Sequence, residues 1–80
     1  MAGLESAGIG LAVLRRFERE KSVIITDGTG PCPVFARGDR RTLATHWLAR
    51  DMVQQLKAGG ILTPTPRGLV LSKAAISRLP

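Results

Sequence analysis

The stretch that decides the fold is KAGGILTPTPRGLVLS, residues 57–72. Two glycines follow a helix-like run, and the two short apolar segments IL and LVL are separated by a proline-rich loop, which is typical of a β-hairpin. Pro64 and Pro66 restrict the loop backbone, and Gly68 permits the turn into the second strand. The stretch therefore predicts a helix end and a stiff hairpin whose loop carries one cation, Arg67.

The run before this stretch predicts the best helix of the chain, over residues 45–58. Its apolar side chains recur at helical spacing and predict a buried face, whose members are Trp47, Leu48, Met52, Val53 and Leu56. Thr45 is expected to cap the helix, and Gly59 to take the left-handed conformation after its end. We expect Trp47 to anchor the core, so that its replacement by alanine costs about 3–5 kcal/mol.

The first forty residues predict a helix and a hairpin. An apolar stripe at four-residue spacing indicates a helix that begins at Ser6 or Ile9 and ends at Glu20, after a flexible tail over residues 1–8. Within this helix, four-residue spacing predicts a surface ion pair between Arg16 and Glu20. The segments SVIIT and PVFARG flank the turn DGTGP, and Pro33 favours an edge position for the second strand.

The element order predicts an α+β fold. The segment RRTLAT, residues 40–45, fits either a short turn of helix or a strand. Ser72 is expected to cap a short last helix. The order helix, hairpin, helix, hairpin, short helix then forms a single domain over residues 9–80.

Composition restricts the class of protein. The longest apolar run is too short to span a bilayer, and the amino terminus lacks the basic region of a secretory signal. A lone cysteine, Cys32, cannot form an internal disulfide and is expected to be inert, which fits a reducing, cytoplasmic compartment. With one histidine and one cysteine, and no recognisable nucleophile, we expect neither an enzyme nor a metal or cofactor site.

The charge balance points to an anionic partner. Twelve Lys and Arg against six Asp and Glu give a net charge of +6, and nine of the cations are arginines. Arginine makes planar bidentate contacts with phosphate and with guanine edges. The sequence therefore favours nucleic acid as a partner, against the alternative of an ordinary basic surface.

The carboxy-terminal half resembles a winged helix-turn-helix domain. The resemblance lies in a leucine, a glycine and a short apolar strand after the helix, then a second strand and a polar cap, here Leu56, Gly60, Ile61, Leu62, Leu71 and Ser72. The whole chain is also similar to an alphaproteobacterial domain of phage-like and gene-transfer-agent transcription regulators. The chain departs from the family between Pro33 and Thr45, where there is room for only a very short support helix.

The resemblance implies binding to double-stranded DNA. Helix 45–58 would enter the major groove, and the wing, residues 63–68, would contact the adjacent groove or backbone. The implied contacts comprise base-edge candidates on the helix, a phosphate clamp before it and cations after it, namely Thr45, His46, Arg50 and Gln54, then Arg37, Arg40 and Arg41, then Lys57 and Arg67. The alternative for each is an ordinary solvated helix face or loop.

A module that binds protein is the rival interpretation. The same winged helix could dock on RNA polymerase or on another regulator, and Asp51 on the reading helix favours this, because a carboxylate repels phosphate. A continuous positive face joining Arg50, Lys57 and Arg67 would favour DNA. An apolar patch that includes Val34, Phe35 or the first helix would favour a protein partner.

Overall fold

A computed structural model describes residues 10–79 as three helices and one five-stranded sheet. The helices are α1 (Leu11–Glu20), α2 (Arg50–Ala58) and α3 (Lys73–Arg78). The strands are β1 (Val23–Ile24), β2 (Cys32–Phe35), β3 (His46–Leu48), β4 (Leu62–Thr65) and β5 (Gly68–Leu71), with a 3₁₀ turn at Ala36–Gly38. The predicted α+β class is confirmed. The predicted tail, residues 1–8, lies outside the described residues.

All neighbouring strands are antiparallel, in the order β3-β2-β1-β5-β4. Both predicted hairpins are present: Val23 pairs with Phe35 in the first, and Leu62 with Leu71 in the second. The pairing of Ile24 with Leu69 joins them into one sheet. Within residues 10–79 the strands therefore form a single sheet, whose two outer strands are β3 and β4.

The core lies between the helices and one face of the sheet. Side chains alternate between the faces of a strand, and the buried side chains of this face form one cluster with the helices. The strands contribute Ile24, Cys32, Val34, Leu48, Leu62 and Leu69, and the helices contribute Leu14, Phe17, Val53, Leu56 and Ala75. No helix within residues 10–79 is long and apolar enough to cross a membrane.

The first helix starts later than predicted and ends at the predicted residue. Helix α1 begins at Leu11, because Gly10 is extended and serves as the N-cap, so the helix starts later than predicted; the predicted starts, Ser6 and Ile9, themselves lie outside the described residues. Its predicted end at Glu20 is confirmed. The predicted pair is present, with Arg16 Nε 3.2 Å from Glu20 Oε2.

The largest correction concerns the predicted helix over residues 45–58. Helix α2 begins at Arg50, with Ala49 as its N-cap, and the preceding residues form β3, so the cap predicted at Thr45 is wrong. Trp47 is 65% exposed and anchors no core. Leu48 is buried in both arrangements, so it fits a helix and a strand equally. The pairing of Trp47 with Pro33 shows that this segment is a strand.

Two smaller corrections concern a proline and a glycine. Pro33 lies in β2, an interior strand, so the edge position predicted for it is wrong. Its missing N–H is tolerated because the Pro33 nitrogen faces Ile25, just beyond the end of β1. After α2, Gly60 takes the left-handed conformation with φ 78°, whereas Gly59 has φ −80°. The predicted cap of the last helix is confirmed, because Ser72 Oγ accepts a hydrogen bond from the Ala75 N–H at 3.1 Å.

Replacement of Leu56 by alanine is expected to destabilise the protein far more than replacement of Trp47 by alanine. Leu56 is fully buried at the centre of the core, and removal of such a side chain costs about 2–5 kcal/mol. Trp47→Ala removes a mostly exposed side chain, and we expect a loss of less than about 1 kcal/mol. Urea unfolding of both variants measures the difference, and equal losses would contradict the burial described here.

Candidate nucleic-acid interface

Two depressions share one lining residue, Thr26, and one of them lies along α2 while the other lies at the β4–β5 turn. The first is lined by Thr26, Val53 and Leu69 together with three polar side chains of α2, Arg50, Gln54 and Lys57. The second also contains Thr26 and is lined by residues of the turn and its surroundings, among them Asp27, Arg40, Thr65 and Arg67. We call the surface formed by Arg40, Arg50, Gln54, Lys57 and Arg67 around Thr26 the basic face.

Arg50 holds the loop after β1. Its Nε donates to the Gly30 carbonyl at 3.0 Å, its Nη1 to the Thr26 carbonyl at 3.3 Å and its Nη2 to the Gly28 carbonyl at 2.6 Å. Three of the five N–H donors of the guanidinium are therefore directed at this loop. This geometry disagrees with Arg50 as a base-edge reader, although its uncompensated charge still contributes to the field of the basic face.

Arg67 lies at the tip of the second hairpin, as predicted, and its guanidinium is already held. Its Nη2 donates to the Arg37 carbonyl at 2.8 Å. Gly38 makes room for this contact, because a Cβ built at Gly38 would lie 2.7 Å from Arg67 Nη2, and its φ of 70° also favours glycine. Arg37 itself has φ 57°, so two successive residues take the left-handed conformation beside Arg67.

The turn that carries Arg67 is reinforced by Thr65. Its Oγ1 donates to the Gly68 carbonyl at 2.7 Å and accepts from the Arg67 N–H at 3.2 Å. Gly68 is required by proximity, since a Cβ there would lie 2.6 Å from the Ile24 carbonyl oxygen. The hairpin tip is therefore anchored to β1 at its base and to the 3₁₀ turn at Arg67.

The predicted phosphate clamp is partly neutralised. Arg41 donates from its side chain and from its backbone N–H to Asp39, each at 3.0 Å. The side-chain bond, then the backbone bond, lowers the pKa of the Asp39 carboxyl, and the charges of Arg37 and Arg67 lower it further. Arg40 lies on the basic face with its Nη2 3.5 Å from Asp27 Oδ2. Arg37 is exposed, and it contributes its carbonyl to Arg67.

Thr45 and His46 precede α2 and lie at β3, the opposite edge of the sheet from the β4–β5 hairpin. The backbone N–H and the hydroxyl of Thr45 donate to the Val34 carbonyl at 2.8 and 3.3 Å. The His46 ring packs edge-on against Phe17, with centroids 5.2 Å apart. The predicted placement of these two residues on the reading helix is therefore wrong, whereas DNA contact by them stays a prediction.

Gln54 and Lys57 remain the exposed polar side chains of α2 that line the basic face. Asp51 is exposed in the first turn of the same helix. Sequence reasoning missed Thr26, which joins the two depressions, and Gly38, which admits the Arg67 side chain. The position of Gly38 beside a basic run was a signal in the sequence, whereas the position of Thr26 depends on the pairing of β1 with β5.

Replacement of Arg50 by methionine is expected to lower the free energy of unfolding by about 1–3 kcal/mol, because three charge-assisted hydrogen bonds are lost. Amide hydrogen exchange in residues 26–30 should accelerate at the same time. Lys57→Met, which removes a cation from the same helix at an exposed position, is the control and should change stability by less than about 0.5 kcal/mol. Equal effects of the two replacements would contradict the anchoring role of Arg50.

Comparison of the chain with protein-family models, with curated proteins and with solved structures gave no match. Function is therefore inferred from the basic face and from the sequence.

Proposed function

We propose that the chain is a DNA-binding winged-helix module of a bacterial or phage-like transcription regulator. The observation that carries the proposal is that two depressions share Thr26 as a lining residue, one of them lined by Arg50, Gln54 and Lys57 and the other by Arg40 and Arg67. Arginine and lysine bind phosphate oxygens, and glutamine reads adenine edges. Helix α2 would lie in the major groove, and residues 63–68 would contact the adjacent groove or the backbone.

The order of the elements supports a winged-helix arrangement with an unusual support. Strands β1, β5 and β4 are neighbours, α2 leads directly into β4, and the β4–β5 hairpin forms the wing. Strands β2 and β3 occupy the part of the chain where a helix-turn-helix has its support helix. In place of a support helix, the hydrogen bonds from Arg50 to the loop after β1 hold α2 in position.

The division of tasks on the basic face follows from exposure. Gln54 is exposed on α2 and is the base-edge candidate, while Lys57 is a cation that can contact phosphate. Arg67 sits at the wing tip, preordered by the Arg37 carbonyl, and Arg40 lies beside it, paired with Asp27. Capture is electrostatic, because a net charge of +6 on a small domain attracts the DNA backbone over several ångströms.

Affinity for duplex DNA is expected to fall steeply with salt. If about five phosphates are neutralised, the logarithm of the binding constant falls against the logarithm of salt concentration with a slope of roughly −4 to −5. Fluorescence anisotropy of a labelled random-sequence duplex, titrated at several salt concentrations, measures the slope. Absence of binding at low salt would refute the proposed function.

Single charge removals are expected to separate the basic face from the remaining surface. Lys57→Ala and Arg67→Ala should each weaken binding and make the salt slope less negative by about 1. Arg15→Ala is the matched control: Arg15 is exposed on α1, which contributes no residue to either depression, and its loss should leave the slope nearly unchanged. Thermal unfolding verifies the fold of each variant, and equal losses for all three would contradict a localised interface.

One observation favours the alternative, a module that docks on RNA polymerase or on another regulator. Asp51 is exposed in the first turn of α2, where its carboxylate would repel a phosphate backbone. Of the residues named for an apolar patch, Val34 is fully buried and offers no side chain to a partner, whereas Phe35 is half-buried. Asp51→Asn separates the two functions: it should strengthen DNA binding if α2 enters the groove, and unchanged affinity would favour the alternative.

A further inference from the structure

The outer strand β3 lies in an uncharged and partly apolar segment. Residues 43–49, LATHWLA, contain no Lys, Arg, Asp or Glu, and the neighbouring segment 31–36, PCPVFA, contains none either. Within the first segment, Leu43 is 91% exposed and Trp47 is 65% exposed. Natural sheets usually protect a free edge with charges, prolines or bulges. Residues 43–49 have no charged side chain and no proline to do so.

The main chain of Trp47 points away from the sheet. Pro33 is paired with Trp47, and the Pro33 carbonyl accepts a hydrogen bond from the Ile25 N–H at 3.0 Å, on the side of β1. The N–H and carbonyl of one residue in a strand point to the same side, and facing residues of an antiparallel pair alternate between bonded and unbonded pairs. Pro33 and Trp47 are therefore an unbonded pair, and the Trp47 N–H and carbonyl point to the free edge.

We propose that two copies of the chain associate through this edge, with β3 of one antiparallel to β3 of the other. A two-fold axis at Trp47 lets the two Trp47 residues exchange both main-chain hydrogen bonds, and sets His46 opposite Leu48 of the second copy. The two indole rings then lie on the same face of the joined sheet, as a cross-strand aromatic pair. The result is a continuous ten-stranded sheet.

Charge identifies a second copy as the occupant. A chain with a net charge of +6 repels itself wherever its cations face one another, whereas residues 43–49 bring no charged side chain to the contact. Main-chain pairing about a two-fold axis needs no other complementarity, because each edge offers the same donor and acceptor. The sheet order also keeps the cationic hairpin apart from the contact, since β3 and β4 are opposite edges.

The dimer would have two basic hairpins at the outer ends of one sheet. Strand β3 has only three residues, so the contact is small and we expect a weak, concentration-dependent association. If the chain binds DNA as proposed, two linked basic faces raise the affinity for a site with two half-sites. The association itself takes place without DNA, so it does not depend on the proposed function.

Sedimentation equilibrium of the full chain without DNA is the test. Over about 10 µM to about 1 mM, the range of weak affinities, the average mass should rise from 8.6 kDa towards twice that value. Trp47 is the sole tryptophan, so its emission should shift to shorter wavelength over the same range as the ring leaves water. A constant mass of one chain would overturn the proposal and leave the edge to a different protein.

Charged replacements at the edge locate the contact. Trp47→Lys should remain monomeric throughout this range, because it removes the aromatic pair and places two cations face to face. Ile76→Lys is the matched control: Ile76 is 38% exposed on α3, and its replacement should leave the association unchanged. Circular dichroism verifies the fold, and Ala49→Lys, at an exposed position that this register sets opposite Thr45 of the second copy, serves in place of Trp47→Lys if that variant unfolds. Unaltered association of the folded edge variants, or equal loss in Ile76→Lys, would overturn the proposal.

Discussion

The structure depends on one short contact, the pairing of β1 with β5. Each hairpin alone is a marginal two-stranded unit, and Ile24 opposite Leu69 converts them into one sheet with a common core face. The contact needs a close approach of two backbones, which Gly68 permits, because a Cβ there would meet the Ile24 carbonyl oxygen at 2.6 Å and Val23 Cγ1 at 2.8 Å. A chain that could not bring these strands together would lose both the core and the surface above it.

The same contact determines the basic face. Strand β1 leads directly into Thr26, so pairing of β1 with β5 places Thr26 beside the tip of the second hairpin. Arg50 reaches this loop from α2 and holds three of its carbonyls, which sets the helix beside the hairpin. Side-chain hydrogen bonds from Arg50 thus link the helix to the loop, and Thr26 in that loop lines both depressions.

Local features of the sequence could be predicted, and non-local ones could not. The end of α2 before two glycines, the second hairpin and the Ser72 cap follow from residues that are close in sequence, and the structure has all three, although Gly60 and not Gly59 takes the left-handed conformation. The sequence predicts a helix at Trp47, because Leu48 beside it fits the spacing of a helix and of a strand alike. Only the partner strand, some 14 residues earlier, shows that this segment is a strand. Arg50 looked like an exposed helix residue because its acceptors lie 20–24 residues away.

The hydrogen-bond acceptor of each arginine determines how much net positive charge it retains for an anion. Arg40 and Arg41 lie beside the carboxylates of Asp27 and Asp39, so these pairs carry little net charge. Arg50 and Arg67 donate instead to neutral carbonyls, which fix the side chain and leave its full positive charge in place. An ordered cation loses less conformational entropy when it meets a phosphate than a freely rotating one. Arg50 and Arg67 are thereby ordered with their charge intact, one in each of the two depressions that Thr26 lines.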